Sequence, residues 1–221
     1  LLLACRAANT SKVRGTLLTV DPYLLLLLIA CVFILLFGAL SFIRREGLSV
    51  QFALEAAAIT ALFVGGSWLI GTPANPFLFL IVLYVVTMRS RLAVDLANLA
   101  SGRGHYQVAF RLYRLALAWW PDASSRLIVL TNEGAAQLRS GQVDAAIGTL
   151  ESVLDMQKRP RLGLKYEAAC RYNLAFALEQ KGEDAKAVAQ YNEVIDVLPG
   201  SLYAQAAQAA LKRRKRRGSV G

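Results

Sequence analysis

Polarity divides the chain once. From residue 22 to residue 88 almost every position is apolar, whereas from 89 to 221 apolar and charged positions alternate with helical spacing. Leu24 to Ile43 carries no charge and is flanked by Pro22-Tyr23 and Arg44-Arg45. At about 1.5 Å per residue it reaches about 30 Å, the hydrocarbon thickness of a bilayer, so a transmembrane helix is predicted over 24–43. A second is predicted over 50–70, with Gln51 and Glu55 near its start and Trp68, a residue suited to the interface, near its end. Its small residues, Ala56-Ala57-Ala58 and Gly65-Gly66-Ser67, offer a face for close helix packing in lipid.

A third apolar segment, 76–88, follows the turn-forming Gly71 to Pro76 and is too short to cross cleanly. The periodicity runs on through Leu92, Leu96 and Ala100, which predicts one helix from about Pro76 to Ala100. It would leave the membrane near Arg89 and Arg91, with those side chains reaching for headgroups. The first helix of the following region would then be held rigidly to the bilayer. Arg44, Arg45, Arg89, Arg91 and Arg103 outnumber Arg6, Lys12 and Arg14, which favours a cytoplasmic location for the soluble part of a multi-pass protein of a bacterial inner membrane. Glu55, the one acid within an apolar segment, is either a relay group or a carboxylate satisfied by a neighbouring helix or water.

The polar two-thirds repeats itself. Gly104, Gly141 and Gly182 are each followed five residues on by Ala109, Ala146 or Ala187. Four residues further stand Tyr113, Leu150 or Tyr191, and three beyond those Ala116, Val153 or Val194. Pro121 and Pro199 close two of the three copies. A small, a large and a small side chain at these offsets lie on one helix face, where the small ones let a neighbouring backbone approach.

The pattern resembles the tetratricopeptide repeat, whose period is about 34 residues. Leu96-Ala97 and Leu174-Ala175 match that family's Leu-Gly pair on the first helix, whereas Glu133-Gly134 keeps only the glycine. The aromatic expected early in each copy is replaced by Ala93, Leu130 and Arg171, and the middle copy has Lys158 where the proline belongs, with Pro160 two residues later. The resemblance covers about residues 90–200. It implies an all-α fold: transmembrane helices, then a solenoid of about three helix pairs over 89–200. Residues 201–221 would add a capping helix with Gln205 and Gln208 outward, and a basic tail; residues 1–21 form an N-terminal tail.

The resemblance also implies a concave, partner-binding surface lined by first helices. Thr131, Tyr172 and Phe176 are its expected exposed positions, and Asn132 and Asn173 occupy the family's recurrent asparagine. The basic residues that join such asparagines in clamping a peptide carboxylate are absent from the corresponding places, so no clamp is expected. Trp119-Trp120 ends the first copy. The pair is a contact hot spot, a packing element between copies, or a headgroup-level anchor.

Charge and cysteines add little. The net charge is +10, but the run Lys212, Arg213, Arg214, Lys215, Arg216 and Arg217 supplies six of it. That run is a candidate contact for anionic lipid or RNA, or a solvated helix end. Cys5, Cys31 and Cys170 have neither disulfide nor zinc spacing, and Leu2-Leu3-Ala4-Cys5 only loosely matches a lipidation site. No phosphate loop, metal-ligand set or catalytic grouping is present. No cofactor, small-molecule substrate or enzymatic activity is expected. The sequence points to a membrane-anchored scaffold, an accessory subunit or assembly factor whose partners are other subunits of a membrane complex and the bilayer. The alternatives are a transport or proton-relay component using Glu55, and a ribosome, nucleic-acid or anionic-lipid tether using the tail.

Overall fold

The computed structural model describes residues 21–43, 49–156 and 163–218. Cys5, the basic N-terminal residues, Arg44, Arg45, Lys158 and Pro160 lie outside them. The described residues form ten helices and no strand. They are α1 Pro22–Ile43, α2 Val50–Ile70, α3 Pro76–Thr87, α4 Arg89–Gly102, α5 Tyr106–Ala118, α6 Ala123–Arg139, α7 Val143–Met156, α8 Leu164–Lys181, α9 Asp184–Val197 and α10 Leu202–Gly218.

Helices α1 and α2 are each long and apolar enough to cross a membrane. Local chemistry sets their ends. The Asp21 carboxylate accepts from the backbone N–H groups of Tyr23 and Leu24, and Pro22 stands where no N–H is needed. Ser49 caps α2 by accepting from Phe52, and Gly71, left-handed at φ 74°, ends it. Most of both helices faces outward, as lipid-facing helices do. The side chains they share with α3 are Leu26, Ala30, Phe33, Ala56, Phe79 and Leu83. Close approach on α2 runs through buried Ala56, Thr60 and Ser67. Gly65 and Gly66, expected on that face, have open space where a Cβ would stand.

The continuous helix expected from Pro76 to Ala100 is broken. Helices α3 and α4 meet at Met88 with a bend of 70°. At the bend, carbonyls near the end of α3 take side-chain donors. The Thr87 hydroxyl donates back to Leu83 O at 2.6 Å, and Arg89 Nη1 donates to Val86 O at 2.7 Å.

Beyond the bend the helices pair in sequence. Helix α4 packs on α5, α6 on α7, and α8 on α9, with further contacts of α6 to α4 and α8, and of α10 to α8 and α9. Gly104, Gly141 and Gly182 sit in the three hairpin turns at φ 81°, 82° and 84°, a region that side chains disfavour. All nine residues of the small-large-small pattern are fully buried at 0% exposure. The tightest crossing is at Gly134, where a Cβ would stand 2.7 Å from the Leu150 side chain. Tyr113 and Tyr191 bury their rings and direct their hydroxyls to Asn98 Oδ1 (2.6 Å) and Glu179 Oε2 (2.8 Å). Ala204, Ala207 and Ala210 turn one face of α10 inward, leaving Gln205 and Gln208 exposed.

Candidate functional site

Side chains of Arg89, Glu55 and Gln51 tie the two parts of the fold. Arg89 opens α4, and its guanidinium meets the Glu55 carboxylate of α2 in a two-bonded pair, Nη1 to Oε2 at 2.5 Å and Nη2 to Oε1 at 2.9 Å. Its remaining donors reach the Trp119 carbonyl, from Nε at 3.1 Å and Nη2 at 3.0 Å. Gln51, one turn before Glu55, completes the clasp by donating to Glu55 Oε1 (2.9 Å) and to the Trp120 carbonyl (2.8 Å). A cation thus sits on the Trp119 carbonyl just past the end of α5, and a neutral amide on the next one. Each member of the ion pair is about a quarter exposed (25% and 26%). Glu55 is therefore a paired carboxylate.

Beside the clasp opens a cleft of about 970 Å³. One wall is apolar, from Leu35, Phe37, Leu40 and Phe42 of α1. The helices beyond the bend contribute polar side chains, Asp95 and Asn98 of α4, Asp122, Ser125 and Asn132 at and within α6, and Tyr166 of α8, alongside apolar Leu92, Val94 and Ile128. Asn98, Asn132 and Tyr166 also line a second hollow of about 280 Å³, so the two adjoin. The second hollow holds Arg139, Lys165, Tyr172, Asn173 and Tyr203.

The surface expected to bind a partner is only partly reproduced. Asn132, Tyr172 and Asn173 do meet along the second hollow, and Tyr172 lies between Tyr191 and Tyr203, 5.9 Å from each ring. Thr131, expected to be exposed, is 3% exposed, and its hydroxyl is spent on Leu127 O at 2.8 Å. A β-branched hydroxyl residue back-bonded to its own helix turns a methyl into the core. Asn132 Nδ2 likewise serves its own helix, donating to Ile128 O at 2.7 Å. Phe176 is exposed but lines neither hollow. Trp119 and Trp120 stand outside the helix-pair cores, 41% and 84% exposed.

Several residues of the site had no signal in the sequence. Arg139 closes α6 and Lys165 opens α8, so their charges reach the hollow from helix ends rather than from the family's basic positions. Arg139 also donates to Ser101 Oγ at 3.1 Å. Arg91 lines the large cleft.

The basic run is helical through Gly218. Arg214 folds back onto Asp184 (2.5 Å) and Glu179 (3.5 Å), and those carboxylates hold its guanidinium pKa above the usual value. Lys212, Arg213, Lys215 and Arg216 are exposed; the Arg217 side chain is outside the described set. Among the described residues no three His, Cys, Asp or Glu side chains converge as a metal would require. No family model matches the sequence, and no curated protein is similar to it.

Proposed function

We propose that this chain is a membrane-anchored interaction scaffold, an accessory subunit or assembly factor. In this reading α1, α2 and α3 cross a bilayer and α4 to α10 form a tetratricopeptide-like array capped by α10. The large cleft receives the juxtamembrane segment of another membrane protein. The carrying observation is the cleft's composition: apolar side chains of a candidate span line it together with carboxylates, carboxamides and a phenol from the helices beyond the bend. A segment leaving a bilayer is apolar on one side of that boundary and polar on the other, and both walls suit it. The second hollow adjoins the cleft across Asn98, Asn132 and Tyr166 and offers further surface for an extended or helical chain. Burial of all nine pattern residues and the three left-handed glycine turns support the array reading. The cytoplasmic side is the corresponding assignment for the array, from the arginines at the span ends.

Affinity purification of the full chain from native membranes tests this. A membrane protein should co-purify with the wild type and with Phe176→Ala, which lies outside the cleft. It should be lost with Leu35→Trp on the apolar wall and with Ser125→Trp on the polar wall. A partner retained by both tryptophan variants would show that the cleft is not the binding site.

A further inference from the structure

We infer that the Trp119-Trp120 turn is a membrane-docking wedge, which seats the first helix pair in the headgroup layer and sets the orientation of the array. The inference rests on the reading of α1 and α2 as bilayer spans.

The turn's depth follows from its backbone bonds. The Trp120 carbonyl accepts from Gln51, in the first turn of α2, and the Trp119 carbonyl from Arg89, directly after α3. Both donors stand where an apolar helix meets polar sequence, so the two tryptophans lie at that boundary. Trp68 stands in the last turn of α2 and is 72% exposed. The axial rise from Gln51 to Trp68 is about 26 Å, close to the thickness of a hydrocarbon core. One helix thus carries an outward-facing tryptophan near one end and holds a tryptophan pair at the other. That is the spacing of the two aromatic belts of a membrane protein.

The side chains point the same way. Trp120 is 84% exposed, and among the described residues no ring contact or hydrogen bond involves its indole. Its backbone has φ +46°, the only positive value at a non-glycine among the described residues. Exposed apolar side chains stand near this level: Val50 beside Gln51 is 71% exposed and Phe42 and Ile43 at the end of α1 are each 74% exposed, Val50 and Phe42 also lining the cleft with Trp120. An indole has an apolar body and one N–H donor, which is the chemistry of the headgroup boundary. A bilayer seated against α1 and α2 covers Ile43, which lies outside the cleft's lining, together with the exposed Trp120 indole.

Two single-tryptophan chains in lipid nanodiscs test the wedge, one keeping Trp120 and the other Trp68, with phenylalanine at the remaining tryptophans. Trp120 emission should lie to the blue of free tryptophan. Lipids brominated near the headgroup end of the chains should quench roughly half of it or more, and lipids brominated near the chain ends should quench less. Three results would overturn the wedge: water-like, unquenched emission; blue-shifted but unquenched emission, the mark of a protein contact or a second copy; or stronger quenching by the deeper bromines. The Trp68 chain separates this from a failure of the span reading. Quenching at Trp68 alone removes the wedge, and quenching at neither removes the spans.

Discussion

Glu55 and Arg89, 34 residues apart in sequence, share two hydrogen bonds of 2.5 and 2.9 Å, and through them a candidate membrane helix grips the first helix of the soluble part. The pair explains how a charge two turns into an apolar segment is accommodated. The chain turns by 70° beside it, at a position that contains neither glycine nor proline, and there Arg89 serves Glu55, Val86 O and Trp119 O together. The α4–α5 pair is consequently attached to α2 by side chains as well as by the main chain.

Glu55→Gln should loosen that attachment without unfolding either part. Loss of a charge-assisted pair at a partly exposed site is expected to cost about 2 kcal/mol, or roughly thirtyfold faster amide exchange in the segments it holds. Hydrogen exchange by mass spectrometry, on the full chain in nanodiscs, should show the increase around residues 86–92 and 119–122 and little change in α8 and α9. An unchanged pattern would mean that the clasp contributes nothing.

Gly134 and Leu150 should behave as a coupled pair. Gly134→Ala puts a methyl 2.7 Å from the Leu150 side chain and should cost about 1–3 kcal/mol by overpacking. Leu150→Ala should cost about 2–5 kcal/mol by leaving a cavity. Denaturation of the double variant in micelles should give less than the sum, because the new methyl occupies part of the vacated space. Strict additivity would contradict the contact.

Glu133 offers a test in the pH dependence of stability. Burial pushes its carboxyl pKa upward, against the opposing pull of Arg114. A group with a raised native pKa supports the fold fully below its unfolded pKa and loses that support as pH rises through the native value. At neutral pH the charge therefore opposes folding. Glu133→Gln should raise the melting temperature there, within the roughly 0.5–2 kcal/mol range of single stabilising changes. The gain should close as pH falls into the carboxylate range. A gain independent of pH would assign the effect to packing instead.

Cys170 should resist thiol reagents. It is fully buried, its Sγ lies 3.5 Å from Leu150 O, and burial raises its pKa to about 12. With Cys5 and Cys31 replaced by serine, alkylation of the full chain should be about a thousandfold slower than that of a free thiol and should accelerate only with unfolding. Labelling at the rate of an exposed cysteine would contradict the burial of α8 against α7.

What the chain reveals of itself depends on the range of the interaction. The runs that became α1 and α2 and the spacing Ala109-Tyr113-Ala116 were legible, because a lipid-facing helix and a buried stripe are written in consecutive turns. The break at Met88 was not, since Arg89 is diverted by a carboxylate that local sequence does not show. Thr131 was misplaced for a related reason: its hydroxyl finds a partner one turn back, which lets a polar residue enter the core. Arg139 and Lys165 converge only once α6 and α8 are stacked. Asn132 and Tyr172 line the second hollow, whereas the side chains that α1 contributes to the large cleft came from a segment whose only visible role was to cross lipid.

The most direct measurement is photo-crosslinking in native membranes from one position on each wall of the cleft, Phe42 on α1 and Asn132 on α6. Both positions should capture the same protein, attached at residues bordering one of its membrane-spanning segments, with Phe42 bonded to the apolar side of that border and Asn132 to the polar side. Crosslinks from Phe42 to lipid alone, together with none from Asn132 or with different proteins at the two positions, would contradict a shared cleft for a membrane partner.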